Sequence, residues 1–178
     1  MKIWKLETLG LIFTAIVGTL LHFVYDWSGQ KIWVALFSPV NESTWEHLKL
    51  LATPFLIWTL VEFFLSKSPL PNLAFSKLIG LLVGMGVIIT VFYTYSGILG
   101  KNLMFMDIAI FFLGVAAAYW VSFQMLQKSI LSTRPAVTRW GVIGILILIV
   151  LFVWFTFTPS HIGLFVDPIT AGFGIPAP

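Results

Sequence analysis

Long apolar stretches alternate along this chain with short turns that are rich in Ser, Gly, Pro, Lys and Asn. A helix needs about 20 mostly apolar residues to cross a bilayer, because unpaired backbone groups are not tolerated in hydrocarbon. Five stretches are long enough, and they predict helices at about residues 8–25, 45–65, 75–99, 103–126 and 139–157. The expected fold class is therefore all-α, an integral membrane bundle of five transmembrane helices that forms a single domain over residues 1–178.

Two other segments contain apolar residues but are too short or too interrupted to span a membrane. Residues 27–42 include the run Lys31-Ile-Trp-Val-Ala-Leu-Phe37, which we expect to lie along the outer interface or to dip into the bundle. Residues 158–178 form an outer tail that carries His161 and Asp167 among glycines and prolines. The tail either folds back across the outer mouth of the bundle, bringing both side chains towards other polar groups, or remains a loose terminus.

The composition supports a membrane location and excludes several classes of protein. Charged residues make up 10% of the 178 residues, where soluble domains have about 25%, and 59% of the residues are hydrophobic. The net charge of +3 comes from scattered basic residues without a cluster, so we predict no nucleic-acid partner. The absence of cysteine excludes disulfides and thiolate metal sites. Membrane lipids are the expected surroundings, in the inner or plasma membrane of the cell.

The distribution of basic residues predicts the orientation, because cytoplasmic loops carry the excess of Lys and Arg. With the N-terminus inside, seven basic residues lie on the inner side: Lys2, Lys5, Lys67, Lys77, Lys128, Arg134 and Arg139. Three lie on the outer side: Lys31, Lys49 and Lys101. This imbalance predicts an N-in/C-out topology.

The same topology gathers most titratable side chains in the outer half of the bundle. The histidines and five of the seven acids fall there: His22, His47, His161, Asp26, Glu42, Glu46, Asp107 and Asp167. Glu7 and Glu62 are expected in the inner half. We therefore expect an outward-facing His/carboxylate cluster.

Helical spacing and depth single out candidate site residues within this cluster. His22 and Asp26 share one face of the first helix, and Asp107 lies deepest in the bilayer, where an ionisable group normally faces the bundle interior. The candidate catalytic residues are His22, Asp26, Glu46 and Asp107. The candidate metal ligands are His22, Glu46, Asp107 and His161. Imidazole and carboxylate suit a divalent metal such as zinc, and three protein ligands would leave a position open for water.

Structural roles compete with these functional ones. Ser43 and Glu46 match a capping box at the start of the second helix, which does not exclude a second role for Glu46. His47 is rotated by about 100° from Glu46 around the helix, so the two side chains cannot point the same way. His22 and Asp26 have the spacing of a hydrogen-bonded i,i+4 pair.

Two further acids have structural alternatives as members of ion pairs. In this interpretation Asp107 pairs with Lys101 or Lys49 and stabilises the packing of the helices. For Glu62, three basic residues lie near the same inner end of the bundle: Lys67, Lys77 and Arg139. We expect Glu62 to form a structural ion pair with one of them.

Two runs in the first third of the chain carry a resemblance to a known family. They are Leu21-His-Phe-Val-Tyr-Asp-Trp-Ser-Gly29 and Leu36-Phe-Ser-Pro-Val-Asn-Glu-Ser-Thr-Trp-Glu-His-Leu-Lys49. The sequence resembles a family of small multipass bacterial membrane proteins without an assigned function, with the signature LHFxYxWSG…LFSPVNESxWEHLK. The resemblance implies a membrane location, but no reaction, ligand or catalytic residue. It places six residues in the family's pattern: His22, Asn41, Glu42, Ser43, Trp45 and Glu46.

Three functions fit these features. The protein acts as a non-catalytic membrane partner, through small-residue faces such as Gly80-x-x-x-Gly84, or as a metal-dependent enzyme on a lipid-type substrate. The alternative is a transporter or channel component with an outer polar vestibule. Its partners would be another membrane protein or further copies of itself in a homo-oligomer. Whether the chain is an enzyme stays open from the sequence, which indicates no organic cofactor.

Overall fold

The computed structural model describes residues 2–66, 72–128 and 135–175. These residues form five long helices: α1 (Ile3–Trp27), α2 (Thr44–Leu65), α3 (Leu73–Leu99), α4 (Met104–Lys128) and α5 (Pro135–Phe157). All five are long and apolar enough to cross a membrane, and the described residues contain no strand beyond an isolated bridge. The prediction of an all-helical chain with five candidate spans is confirmed.

Two helices, α1 and α5, begin about a full turn before their predicted starts. α1 begins at Ile3 rather than near residue 8, although it then includes the charged side chain of Glu7. Glu7 is only 4% exposed, and its carboxylate lies 2.9 Å from the ammonium of Lys77, so a buried partner replaces water. α5 begins at Pro135, a residue that suits the first turn because the amide hydrogen it lacks would be unpaired there.

The helices run alternately up and down. The start of α3 pairs with the end of α2, and the end of α3 contacts the start of α4. We call the end of the bundle where α1 ends and α2 begins the distal end, and the opposite end the proximal end. α2 contacts each of the other four helices, while α3 packs against α2, α4 and α5, and α1 packs against α2 and α4. The distal end therefore contains the ends of α1, α3 and α5 and the starts of α2 and α4.

Small residues bring α3 and α4 into close contact. A Cβ atom on Gly84 would lie 2.7 Å from the carbonyl oxygen of Gly114 and 2.8 Å from the Cβ of Ala118. Such spacing lets two backbones approach in a membrane, where helix association depends on packing rather than on the hydrophobic effect. The motif Gly80-x-x-x-Gly84 is therefore used for packing within this chain.

The outer surface of the bundle is apolar on every helix. Large exposed side chains occur on each of them, at 57% for Ile16, 79% for Phe64, 78% for Ile98, 64% for Trp120 and 61% for Val150. Apolar exposure of this extent is unfavourable in water and expected in contact with lipid tails. The surface thus supports a multipass membrane protein.

Both short segments outside the helices pack onto the distal end. Val34 and Ala35 are buried, at 1% and 0% exposure, so the middle of the first segment packs into the bundle, whereas Ile32 and Trp33 remain exposed. In the tail, the ring of Phe165 lies 5.1 Å from that of Trp45. The side-chain amide of Asn41 donates a hydrogen bond to the carbonyl of residue 174 at 2.7 Å, which ties the two segments together. The tail therefore folds back across the distal end.

Candidate metal centre

Two histidines and a glutamate meet at the distal end. His22 lies in the last turns of α1, Glu42 in the turn before α2, and His47 in the first turns of α2. Nε2 of His47 is 3.3 Å from Oε2 of Glu42, and Nε2 of His22 is 3.9 Å from Oε1 of Glu42. One ligand-type atom from each residue lies within 4.8 Å of the other two. We call this group the His22–Glu42–His47 triad.

The local fold of α2 determines how His47 is presented. Ser43 is the N-cap of α2, and its side chain accepts a hydrogen bond from the amide of Glu46. Nδ1 of His47 is 3.0 Å from the carbonyl oxygen of Ser43, which is an acceptor only. Nδ1 therefore carries a proton and donates it, and Nε2 faces Glu42. A hydrogen bond on the second ring nitrogen is what orients a histidine that binds a metal through the first.

The carboxylate of Glu42 is ionised and reachable from solvent. The hydrogen bond from His47 lowers the pKa of the Glu42 carboxyl, partial burial acts against this, and the positive charge of His47 and His22 adds to the lowering. The side chains are 41% exposed for Glu42, 31% for His22 and 29% for His47. The Glu42 carboxylate and two imidazoles form a ligand set for a divalent metal at this partly exposed site, provided that Nε2 of His47 releases the proton it donates to Glu42.

The ligand-type atoms of the triad lie within 4.8 Å of one another, so side-chain rotations would have to bring them closer to hold a single ion. Ligand atoms at about 2.0–2.2 Å from a tetrahedral ion lie roughly 3.3 Å from one another. The separations involving Glu42, at 3.3 and 3.9 Å, are close to that value. The two imidazole rings lie near each other, with centroids 5.2 Å apart. Because the Glu42 side chain is the most exposed of the three, its movement is the least restricted.

Glu46, a predicted ligand, faces the interior of the bundle instead. Its Oε2 accepts hydrogen bonds from Nζ of Lys49 at 2.7 Å and from the amide of Val40 at 3.0 Å. Its Oε1 accepts one from Oγ1 of Thr156 on α5 at 2.9 Å. Glu46 and His47 are adjacent, so the rotation between neighbours on a helix sends one inward and the other to the triad. Glu46 completes only half of the predicted capping box, because its side chain does not return to Ser43.

The other predicted site residues have partners outside the triad in the described structure. Asp107 accepts a hydrogen bond from the Tyr95 hydroxyl on α3, rather than pairing with either predicted lysine. Asp26 accepts one from the side-chain amide of Gln30 at 3.4 Å, not from His22. The His161 ring packs edge-on against Phe173 within the tail, with centroids 4.7 Å apart. Of the four predicted metal ligands, the group brought together therefore contains only His22.

Sequence reasoning did not combine Glu42 and His47 with His22, although a local signal joins the first two. Glu42 immediately precedes the N-cap Ser43, and His47 is the fourth residue after it. These two positions regularly contact each other at helix starts, where hydrophobic residues form a staple. A polar pair at the staple positions is thus a signal that Glu42 and His47 meet.

Comparison with known proteins reveals the family but no function. Among curated proteins and solved structures, none is significantly similar to this chain. One family model, described as a family of unknown function (DUF6512), matches residues 1–175. The match extends beyond the first third of the chain, in which the two motif runs lie. This chain therefore belongs to DUF6512, a family of unknown function.

Proposed function

We propose that this protein is an integral membrane protein that binds a divalent metal ion of the zinc type through His22, Glu42 and His47. The observation that carries the proposal is the approach of three ligand-type atoms, from two helices and a turn, to within 4.8 Å of one another. Two imidazole nitrogens and a carboxylate oxygen are ligands that zinc prefers. The hydrogen bond from Nδ1 of His47 to Ser43 supports the proposal, because it presents Nε2 to the site.

The N-in/C-out topology would place this centre on the outer face of the membrane. The excess of basic residues at the proximal end supports that orientation. Aromatic side chains beside the centre support a position at the level of the lipid headgroups, where such rings are enriched. The ring of Phe23 lies 5.0 Å from that of His22 and 5.7 Å from that of Trp27, and Trp27 is 69% exposed.

A second candidate function follows from the small number of protein ligands. Three ligands leave a position for water on a tetrahedral ion, and the exposure of the triad gives a substrate access to it. Metal-dependent hydrolysis of a lipid-type ester would then take place at the membrane surface. Water would supply a hydroxyl group to the acyl carbon and a proton to the departing alcohol.

The two competing functions have less support from the contacts. Binding of a membrane partner depended on a small-residue face, and Gly84 on that face is already packed against α4. Transport depended on a polar vestibule at the distal end, yet Glu46 and Asp107 are paired within the bundle. Metal binding is therefore the function that the geometry favours.

Metal content of the purified protein tests the proposal. We expect one zinc ion per chain by mass spectrometry after loading and dialysis in detergent. His22→Ala, Glu42→Gln and His47→Ala should each weaken binding by more than the 10–100-fold that loss of a residue merely orienting a ligand costs. His161→Ala is the matched control, because His161 packs against Phe173 in the tail, and it should bind zinc as the unaltered protein does. Equal zinc content in all these proteins would overturn the proposal.

A further inference from the structure

We infer that the membrane-spanning region contains a proton-binding site in which Glu7 and Glu62 share Lys77 and together hold one proton. This site lies near the proximal end and is separate from the proposed metal centre. Three helices build it: α1 provides Glu7, α2 provides Glu62 and α3 provides Lys77.

The ion contacts are short and fully buried. Nζ of Lys77 donates to Oε1 of Glu7 at 2.9 Å and to Oε1 of Glu62 at 2.8 Å. The exposed fractions are 1% for Lys77, 4% for Glu7 and 0% for Glu62. Lys77 is thus one of the three basic partners that the sequence predicts for Glu62. It pairs with a second carboxylate as well.

The surroundings favour a charged lysine. Nζ of Lys77 lies 5.2 Å from the ring centroid of Phe55 and 5.0 Å from that of Tyr119, distances at which aromatic faces attract a cation. The hydroxyl of Tyr119 is hydrogen-bonded to Thr14 at 2.8 Å, and a tyrosine is ordinarily neutral at pH 7. The cluster therefore contains one positive charge.

If both carboxylates were ionised, Glu7 and Glu62 would contribute two negative charges against the single positive charge of Lys77. An uncompensated charge that is buried between helices is strongly unfavourable, because neither water nor a counter-charge stabilises it. Two carboxylates that share a buried site normally retain a proton, which belongs to the pair rather than to one residue. A single bound proton makes the cluster of Glu7, Glu62 and Lys77 neutral.

The hydrogen-bonding pattern leaves room for that proton. Oε2 of Glu7 and Oε2 of Glu62 are both shut off from solvent and accept no hydrogen bond within the described part of the chain. Two donors lie beside the carboxylates: Oγ of Ser122 donates to Oε1 of Glu7 at 2.9 Å, and Nε1 of Trp58 approaches the Glu62 carboxylate but donates to the carbonyl of Leu6 at 3.0 Å. An unpartnered buried carboxylate oxygen is costly when ionised, and protonation reduces that cost.

Another buried ion pair among the described residues provides an internal contrast. Glu46 and Lys49 are present one to one, so their charges cancel without a proton. Both oxygens of Glu46 also accept hydrogen bonds, from Lys49 and from Thr156. The excess acid and the unpartnered oxygens occur together at Glu7 and Glu62 and not at Glu46.

Infrared spectroscopy of the protein in lipid nanodiscs, with a metal chelator present, tests the inference. At pH 7 we expect the carbonyl band of a protonated carboxyl, shifted by exchange into D2O. Glu7→Gln and Glu62→Gln should each abolish this band, because one acid then balances Lys77. Lys77→Met should double the band, because both acids then bind a proton. Asp26→Asn, which changes an exposed acid at the distal end, should leave the band unchanged.

Two results would overturn the inference. One is the absence of the band from the unaltered protein at pH 7, and the other is its retention in both glutamine variants. If Lys77→Met does not fold, the infrared spectra of the unaltered protein and of the two near-isosteric glutamine variants are sufficient to test the inference. Because the chelator removes metal throughout, failure of the zinc proposal does not affect these outcomes.

Discussion

At the scale of single residues, two acids four positions apart at the start of α2 have opposite surroundings. Glu46 is 2% exposed and bonded to Lys49, Val40 and Thr156. The Glu42 side chain is 41% exposed and contacts two imidazoles. We therefore assign Glu46 to stability and Glu42 to ligand binding, and the two assignments can be separated by matched substitutions.

Glu46→Gln should lower the free energy of unfolding by about 3–5 kcal/mol, because it leaves the ammonium of Lys49 buried without a counter-charge. Glu42→Gln should lower it by less than about 1 kcal/mol, because its carboxylate is partly solvated. Reversible unfolding in detergent, in the absence of metal, measures both values. Equal stability of the two variants would contradict the assignment of Glu46.

At the scale of helices, the close contact between α3 and α4 depends on glycines that lie on the face of α3 directed towards α4. Gly84 faces Gly114 and Ala118, whereas a Cβ atom on Gly86 would meet nothing within 4 Å. Both glycines lie in the middle of the same helix. They differ in direction alone, so they form a natural pair of test and control positions.

Gly84→Leu should lower the free energy of unfolding by at least the 1–3 kcal/mol that is typical of overpacking, because backbone atoms of α4 obstruct the new side chain. Gly86→Leu should be neutral or stabilising by up to about 1 kcal/mol, since leucine has the higher helix propensity. The same unfolding measurement compares the two variants. A Gly84→Leu protein as stable as Gly86→Leu would show that α3 and α4 do not meet along this face.

At the scale of the whole molecule, the up-and-down order of the helices separates two groups of polar side chains. The triad lies at the distal end, and the cluster of Glu7, Glu62 and Lys77, which we call the Lys77 cluster, lies near the proximal end. The triad uses the end of α1 and the start of α2, while the Lys77 cluster uses the start of α1 and the end of α2. A metal reaching the triad and a proton reaching the cluster would therefore approach from different sides of the membrane.

Cysteine labelling tests the orientation, because the natural chain contains no cysteine to interfere. Lys31→Cys should react with a membrane-impermeant maleimide in intact cells, since Lys31 is exposed at the distal end. Lys5→Cys, exposed at the proximal end, should react only after permeabilisation. The reverse pattern would place the triad on the cytoplasmic side.

Hydropathy along the chain was sufficient to determine the five candidate spans. Bilayer thickness and the need to pair every backbone amide leave few alternatives for an apolar stretch of that length. The N-cap Ser43 was also accessible from sequence, because its hydrogen-bond partner Glu46 is only three residues away. The gathering of acids and histidines at one end follows from the alternation of spans, provided the helices are antiparallel.

Only the tertiary structure decided which of these side chains meet. Contacts between helices depend on the rotation of each helix about its axis, which changes by about 100° per residue, and span-averaged hydropathy contains no information on that rotation. Glu42 lies outside the helices, so no periodicity gives its direction towards His22. For the same reason the sequence offered three partners for Glu62, and packing selected Lys77 and added Glu7. The sequence thus determined the end of the bundle at which each polar group lies, while helix packing determined its neighbours.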